Sequence, residues 1–548
     1  MASRTSDIRV ADELTSPSAS PRLDKNSSQI AWLSVIIMIC VVLPLVISGI
    51  TGSLSIPHND SWAYSKIAQY FGETGRIRLV GWNRSSLMGQ VLILGPAGTS
   101  LVVQHLFVAL CGAVCIVAGY LLVRPRVGGS AALLIAAALG AVPEFGLLST
   151  QFMADIPALA GTLVCLWAGD QAIRRSSAAW WWFAVVAGLW AVTIREQALV
   201  GLGAVLVAGW WLRRPSRRLV YASGILAVLI VVAFEVWRQS LPGGDPPTGS
   251  GALGAYAIRT VIKIPATMGL FLLPVLVAVA RPRQWRPLAR WLAGGSALLY
   301  AAVAVWWQSH GISFLVGNYL IGRSVAYPVA SVGAPIPFPA ALVVGTSAAA
   351  VLGTGLLVGQ FVANGIPRGD VLLCTAGALL LVGTVAQTLA GQFMFARALL
   401  LMVPVVGGLL LRRSPTTADS PPLRTPAGFA VAAVLAGIGV LLTSATYSYD
   451  AARWQAAQRL VVAGARPQDV DAGLEWVGSH SSHPYTWSVH VDGPPGGWYL
   501  QHFAGSRACT LISGSPQKST GTPTTVSYRT FVAAPFGAST LYIYQDRC

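Results

Sequence analysis

Hydrophobic residues run along this chain in long blocks separated by short polar stretches, beginning with Ile30 to Ile50 and recurring to about Leu442. A helix needs roughly 20 consecutive apolar residues to cross the hydrocarbon core of a bilayer. Windows of that kind centre near residues 40, 112, 138, 163, 188, 204, 229, 272, 299, 349, 379, 402 and 434. They predict about thirteen spans, give or take one or two where Gly and Pro interrupt a run. Two segments escape the pattern. Residues 1–29 are polar, Ser-rich and without periodicity, which reads as a disordered cytoplasmic leader. No small-residue cleavage pattern follows the first apolar run, so it does not read as a cleaved signal peptide. From Tyr447 onward hydropathy falls, and a helix is predicted over 451–463 with strands over 525–532 and 539–544. The expected fold class is therefore mainly α: a polytopic membrane helix bundle (30–445) with a small mixed α/β extracytoplasmic C-terminal domain (446–548).

Composition agrees, with 54% hydrophobic and 10% charged residues among 548, a balance that soluble domains do not reach. The net charge of +17 invites a nucleic-acid reading, but its distribution argues otherwise. With the N-terminus inside, 20 of the 37 basic residues fall in the leader and in the alternate short loops assigned to the cytoplasm, as the positive-inside rule requires. The charge is a topology signal and calls for no nucleic-acid partner. Five cysteines lie within apolar runs, where a thiol acts as a small hydrophobe. The other two, Cys509 and Cys548, lie in the tail and could form a disulfide if the tail is outside.

Against this background the polar outer segments stand out. The first outer loop, 51–98, carries Asp60 at the head of a helix predicted over 61–72 and a second, interfacial helix over 87–94. Asp60 reads as a helix cap, a catalytic carboxylate, or both. Glu144 and Asp155 return to the same face between the third and fourth spans. Arg195, Arg259, Lys263, Arg323 and Arg397 form an outer basic set, read either as guanidinium and ammonium groups that grip a phosphate or as interfacial anchors. Glu144, Glu196 and Glu235 are candidate partners for these cations, or candidate metal ligands together with His58. Tyr64 lies one helical turn beyond Asp60. The Gly-rich dinucleotide fingerprint, the P-loop and the His-Glu-x-x-His motif are absent, so soluble nucleotide chemistry finds no support.

The order of these features resembles the GT-C glycosyltransferases that use polyprenyl-phosphate sugars, especially the protein O-mannosyltransferase and aminoarabinose transferase branch. Their first-loop helix, Asp-Glu-x-x-Tyr-x-x-Ile-Ala, is matched by Asp60, Tyr64, Ile67 and Ala68, with Ser61 in place of the Glu. Ser149 to Asp155 is similar to their Ser-Arg-x-x-x-x-Asp segment, with Thr150 where Arg is usual. Gln392 to Arg397, followed by a Leu-rich run and Pro404, resembles their late Arg-Tyr region, with Ala398 where the Tyr would be. The Lys-Pro-Pro segment of the first loop is missing, and Trp82 to Leu87 occupies its place.

The resemblance implies an enzyme of the cytoplasmic membrane that transfers a hexosyl or pentosyl unit, with inversion, from a polyprenyl-phosphate donor to a hydroxyl on a lipid, glycan or protein acceptor. It implies Asp60 and Asp155 as the catalytic carboxylates, and Arg195, Arg259, Lys263 and Arg397 as the donor-phosphate set. It requires no cofactor and admits a divalent metal. The alternatives are a transporter or lipid flippase, and a catalytically inactive relative. Reporter fusions within 51–98 and after residue 445 should both read as external; an internal signal within 51–98 would move Asp60 to the cytoplasm and remove the assignment.

Overall fold

The structure, a computed structural model, describes residues 21–81, 83, 85–244, 253–317, 331–332, 340–365, 369–390, 394–412, 424–481, 483, 485–486, 497–503, 505–517, 522–529 and 538–545. Each of the thirteen hydrophobic windows coincides with an apolar helix. Eight of these helices are long and apolar enough to span a bilayer, from Ser27–Thr51 to Thr425–Val462, and Ala257–Phe271 with Leu273–Val279 forms a further one bent by 64°. The chain is thus a multi-pass membrane protein. The other four, Gly129–Gly140, Ala178–Val192, Glu196–Leu212 and Ala396–Leu410, are shorter. At a rise of about 1.5 Å per residue they cannot cross a core of about 30 Å by themselves. The shortening has local causes. Pro143 stops the helix Gly129–Gly140 just past its end, and the link from Ala178–Val192 to Leu199–Leu212 is a turn holding Thr193 and Arg195.

Where helices abut, small residues allow close approach, as expected between membrane helices that gain little from apolar burial. A Cβ on Gly353 would lie 2.1 Å from the Gly269 carbonyl oxygen. Only a pair of glycines fits this crossing.

The bundle is locked at one end by a buried ionic cluster. Arg126 Nη2 donates to Asp170 at 2.7 Å, its Nε lies 2.5 Å from Asp370, and Arg174 Nε also meets Asp170 at 2.7 Å. Asp170 belongs to the helix Asp155–Arg175, so this cluster lies about 22 Å along that helix from Asp155. The two residues mark opposite ends of the bundle.

The last helix, Thr425–Val462, has 38 residues, about 57 Å, and outruns the bilayer. It passes without a break through the expected domain boundary at 445/446, and its far end carries the C-terminal unit. There Tyr449, Trp454 and Ala457 pack against Val470, Ile512, Leu541 and Ile543. Four strands form the sheet: β1 (Val470–Asp471), β2 (Thr510–Ser513), β3 (Thr524–Arg529) and β4 (Ala538–Tyr544). Their order is β1-β2-β4-β3, parallel between β1 and β2 and otherwise antiparallel. β3 and β4 fall where the β-rich runs predicted strands. Cys509 is disulfide-bonded, and its expected partner Cys548 lies outside the described residues, as does most of the predicted leader.

A second buried ionic group ties this unit to the bundle. Arg453, wholly buried, donates to Asp450 at 2.6 Å and also to Glu475 and to the Ala472 carbonyl. Asp450 in turn meets His58 Nδ1 at 2.8 Å. Replacing Arg453 by Met strands two buried carboxylates and should lower unfolding free energy by roughly 3–5 kcal/mol. Thermal unfolding of the detergent-solubilised chain would measure this, and an unchanged midpoint would show that the group carries no stability.

Candidate active site

The first loop delivers Asp60 through a tight turn. Asn59 takes a left-handed backbone, φ +46°, which its short polar side chain tolerates better than most. Asp60 follows at the N-cap of the helix Ser61–Thr74, but its side chain makes no capping hydrogen bond. The Ser61 hydroxyl instead accepts the His58 backbone N–H at 2.6 Å. The predicted cap is met in position and not in chemistry, so the carboxylate is not spent on helix N–H groups.

Helical spacing sorts the side chains of this helix onto two sides. Trp62 and Ala63 pack with Leu474, Val477 and Phe503 of the C-terminal unit, and Lys66 Nζ donates to the Gly478 carbonyl at 2.8 Å. Tyr64, Ile67 and Ala68 enter the core of the bundle, and the Ser65 hydroxyl donates to Gln104 at 2.7 Å. Asp60 is therefore held between the bundle and the C-terminal unit.

Asp155 opens its helix from the same end of the bundle. Its Oδ1 accepts from Arg195 Nη1 and lies 3.0 Å from Arg397 Nε. Its Oδ2 is buried with no hydrogen-bond partner among the described residues. Arg397, 7% exposed, also lies over the face of Phe395, 4.4 Å from the ring centroid, a position that favours a cation. Arg195 and Arg397 are 202 positions apart in the chain, and both meet this carboxylate.

Three more groups share the field of this ion group. Burial pushes the Asp60 carboxyl above its ordinary range; Arg397 opposes the shift, Asp155 adds to it and Arg195 opposes it. Burial likewise raises the Tyr64 hydroxyl to about 12, against the pull of Arg195. Glu144, 1% exposed, is pushed up to about 8 by burial, with Arg397 opposing and Asp155 reinforcing. Asp60, Tyr64, Glu144, Asp155, Arg195 and Arg397 thus form one site.

The other candidates lie elsewhere. His58 is buried, with Nδ1 on Asp450 and Nε2 at 3.1 Å from the Ser53 carbonyl. Both ring nitrogens are engaged, which removes it from the expected metal set with the glutamates. Glu196 and Glu235 pair with Arg238 rather than with Arg195. Lys263 sits over the Trp307 ring at 5.4 Å, and Arg259 is exposed on the same helix. Neither contributes to the field at Asp60, Tyr64 or Glu144. Arg323 lies outside the described residues, as do Gln392 and Phe393. No three His, Cys, Asp or Glu side chains converge as metal ligands among the described residues.

The structure also accounts for one departure from the motif. Thr150, standing where Arg is usual, donates its hydroxyl toward the Gly146 and Leu147 carbonyls and meets the Tyr447 hydroxyl of the long last helix. The sequence reading missed this contact and the Asp450 partner of His58. The one signal for the latter was an acid and a base three residues apart, Asp450 and Arg453, at the end of an apolar run.

Residues 91–237 match the family described as dolichyl-phosphate-mannose-protein mannosyltransferase. The segment contains Glu144, Asp155 and Arg195, and the match bears out the resemblance to the GT-C glycosyltransferases. The fold also overlaps ArnT from Cupriavidus metallidurans bound to undecaprenyl phosphate, at 15% identity and a TM-score of 0.39, covering 95% of this chain and 98% of that one. The Archaeoglobus fulgidus oligosaccharyltransferase in complex with Zn and sulfate overlaps at 14% identity and a TM-score of 0.36, covering 78% and 55% of the two chains. These overlaps are too loose to carry positions from one chain to another. No curated protein matches the sequence.

Replacing Asp155 by Asn leaves two guanidiniums facing a neutral amide. Unfolding free energy should drop by about 3 kcal/mol, read as a lower midpoint in thermal unfolding; an unchanged midpoint would show that Asp155 does not hold the two arginines.

Proposed function

We propose that this chain is a membrane glycosyltransferase, moving a sugar from a polyprenyl-phosphate donor to an acceptor hydroxyl at the outer face of the cytoplasmic membrane. The observation that carries the reading is that Asp60 lies in the electrostatic field of the Asp155, Arg195 and Arg397 ion group at one end of a bundle of apolar helices. The family match over 91–237 supports a transferase. The charge distribution along the loops supports an outward placement of that end.

In this reading the acceptor oxygen attacks the anomeric carbon as the carbon–oxygen bond to the phosphate breaks. The acceptor proton passes to Asp60, and the phosphate leaves with the bonding pair. A raised proton affinity suits Asp60 to that task, because a base works best when its pKa approaches the working pH. Arg195 and Arg397 supply fixed positive charge where the leaving group gains negative charge. Asp155 orients both and moderates their charge. Attack from the face opposite the leaving group inverts the anomeric centre. A phosphate already leaves readily, so no cofactor is assigned a step and a divalent cation remains compatible. The lipid portion of the donor would approach sideways through the bilayer between the apolar helices.

A transporter reading fits less well. It calls for charged groups near the midplane, whereas the buried ion pairs of the described bundle sit at its two ends.

The test is transfer of labelled sugar from a polyprenyl-phosphate donor by membranes carrying the wild type or Asp60→Asn. Loss of the base should lower the rate by about 10²–10⁴-fold. Because Asp60 must be ionised to act, activity should fall as pH drops through its raised pKa, placing the acid limb above the usual carboxylate value of about 4. Equal rates in the two proteins would remove Asp60 from catalysis.

A further inference from the structure

Glu144 has no assigned task in the chemistry above, yet it is a buried acid. It lies in the turn between Gly129–Gly140 and Phe145–Leu148 and is 1% exposed. Its Oε2 is buried without a hydrogen-bond partner among the described residues. A buried carboxyl without partners costs several kcal/mol if ionised, and considerably less if it holds a proton. Arg397 and Asp155 are the charges that act on it. Among the described residues, the elements packed against this turn also bring the titratable groups Cys40 and Tyr447. Cys40 packs against Gly140, and the Tyr447 hydroxyl is engaged with Thr150.

Charge balance narrows the role. Among the described residues, Asp60, Glu144 and Asp155 share the site with the guanidiniums of Arg195 and Arg397, and Asp155 already engages both. A phosphate brought into this group adds further negative charge. It is accommodated when a carboxyl carries a proton, and Asp60 must be ionised to take the acceptor proton. That leaves Glu144.

We propose that Glu144 is a donor-binding residue whose protonated carboxyl gives a hydrogen bond to a phosphate oxygen of a lipid-linked phosphate, beside Arg397. The assignment rests on the transferase reading for its choice of ligand. It makes Glu144 a switch in affinity: neutral, it donates; ionised, it repels. Since burial raises its pKa to about 8, the donating form prevails below that pH and is lost above it. Phosphate affinity should therefore fall as pH rises from 7 to 9.

The experiment measures equilibrium binding of a polyprenyl monophosphate to the purified full chain in detergent at pH 7 and pH 9, alongside sugar transfer. The variants are Glu144→Gln, which keeps a donor and cannot ionise, and Glu144→Ala. A hydrogen bond to a charged oxygen corresponds to roughly 10-fold to 100-fold in affinity. The wild type should lose about that much between the two pH values, Glu144→Gln should bind equally at both, and Glu144→Ala should bind weakly at pH 7. A wild type with no loss, a Gln variant that weakens in parallel with it, or an Ala variant that keeps full affinity at pH 7 would each overturn the assignment. Should Glu144→Ala not fold, the near-isosteric Gln variant still decides. Binding that follows the expected pattern without sugar transfer would sustain Glu144 and defeat the transferase reading, so the two fail separately.

Discussion

The arrangement of this protein depends on one buried carboxylate shared by two guanidiniums. Asp155 begins a long helix at the Asp60 end of the bundle, and Arg195 and Arg397 reach it from distant parts of the chain. In a low-dielectric setting an unpaired charge is far more costly than a paired one. Each arginine is thus committed to this meeting point, and with it the turn between two apolar helices and the start of the helix Ala396–Leu410. The same commitment creates a local positive field, partly neutralised, that acts on Asp60, Tyr64 and Glu144. A set of hydrophobic helices would associate without it, but would not form a site.

The second constraint is mechanical. Asp60 sits on a short helix that could not hold its position alone, since an isolated helix of 14 residues is marginal in water. It is fixed from both sides: Tyr64 and Ile67 enter the bundle, while Trp62 and Lys66 engage the C-terminal unit. The long helix Thr425–Val462 links these two supports. It carries Tyr447 against Thr150 near the membrane and Asp450 against His58 beyond it. The C-terminal unit is therefore part of the framework that presents the Asp60 carboxylate.

Charge is confined elsewhere in a way that suits a membrane. The Arg126, Asp170 and Asp370 group closes the opposite end, and between the two groups the helices meet through apolar and small residues, with Gly269 against Gly353 as the tightest crossing. Polar groups are placed where helix ends already leave unsatisfied backbone and where water is near, which keeps their cost low. The carboxyls at the Asp60 end also sit at helix ends, but Glu144 and Asp155 each bury an oxygen that has no partner among the described residues, and the function proposed here draws on that.

Much of this was legible in the chain itself. Unbroken apolar runs located each helix, because a bilayer demands length and hydrophobicity before anything else, and alternating Lys and Arg pointed to one orientation. Asp60, Asp155, Arg195 and Arg397 could be nominated because an ionisable group in so apolar a chain is rare. Their roles relative to one another were not legible. Which arginine meets Asp155, that His58 turns away to Asp450, that Glu196 and Glu235 serve Arg238, and that Asp60 leaves the capping to its neighbours are facts of three-dimensional proximity between segments up to hundreds of residues apart. Hydropathy is a local property and survives in the sequence; the pairing of buried charges depends on which helix ends the packing brings together, and only the tertiary structure decides that.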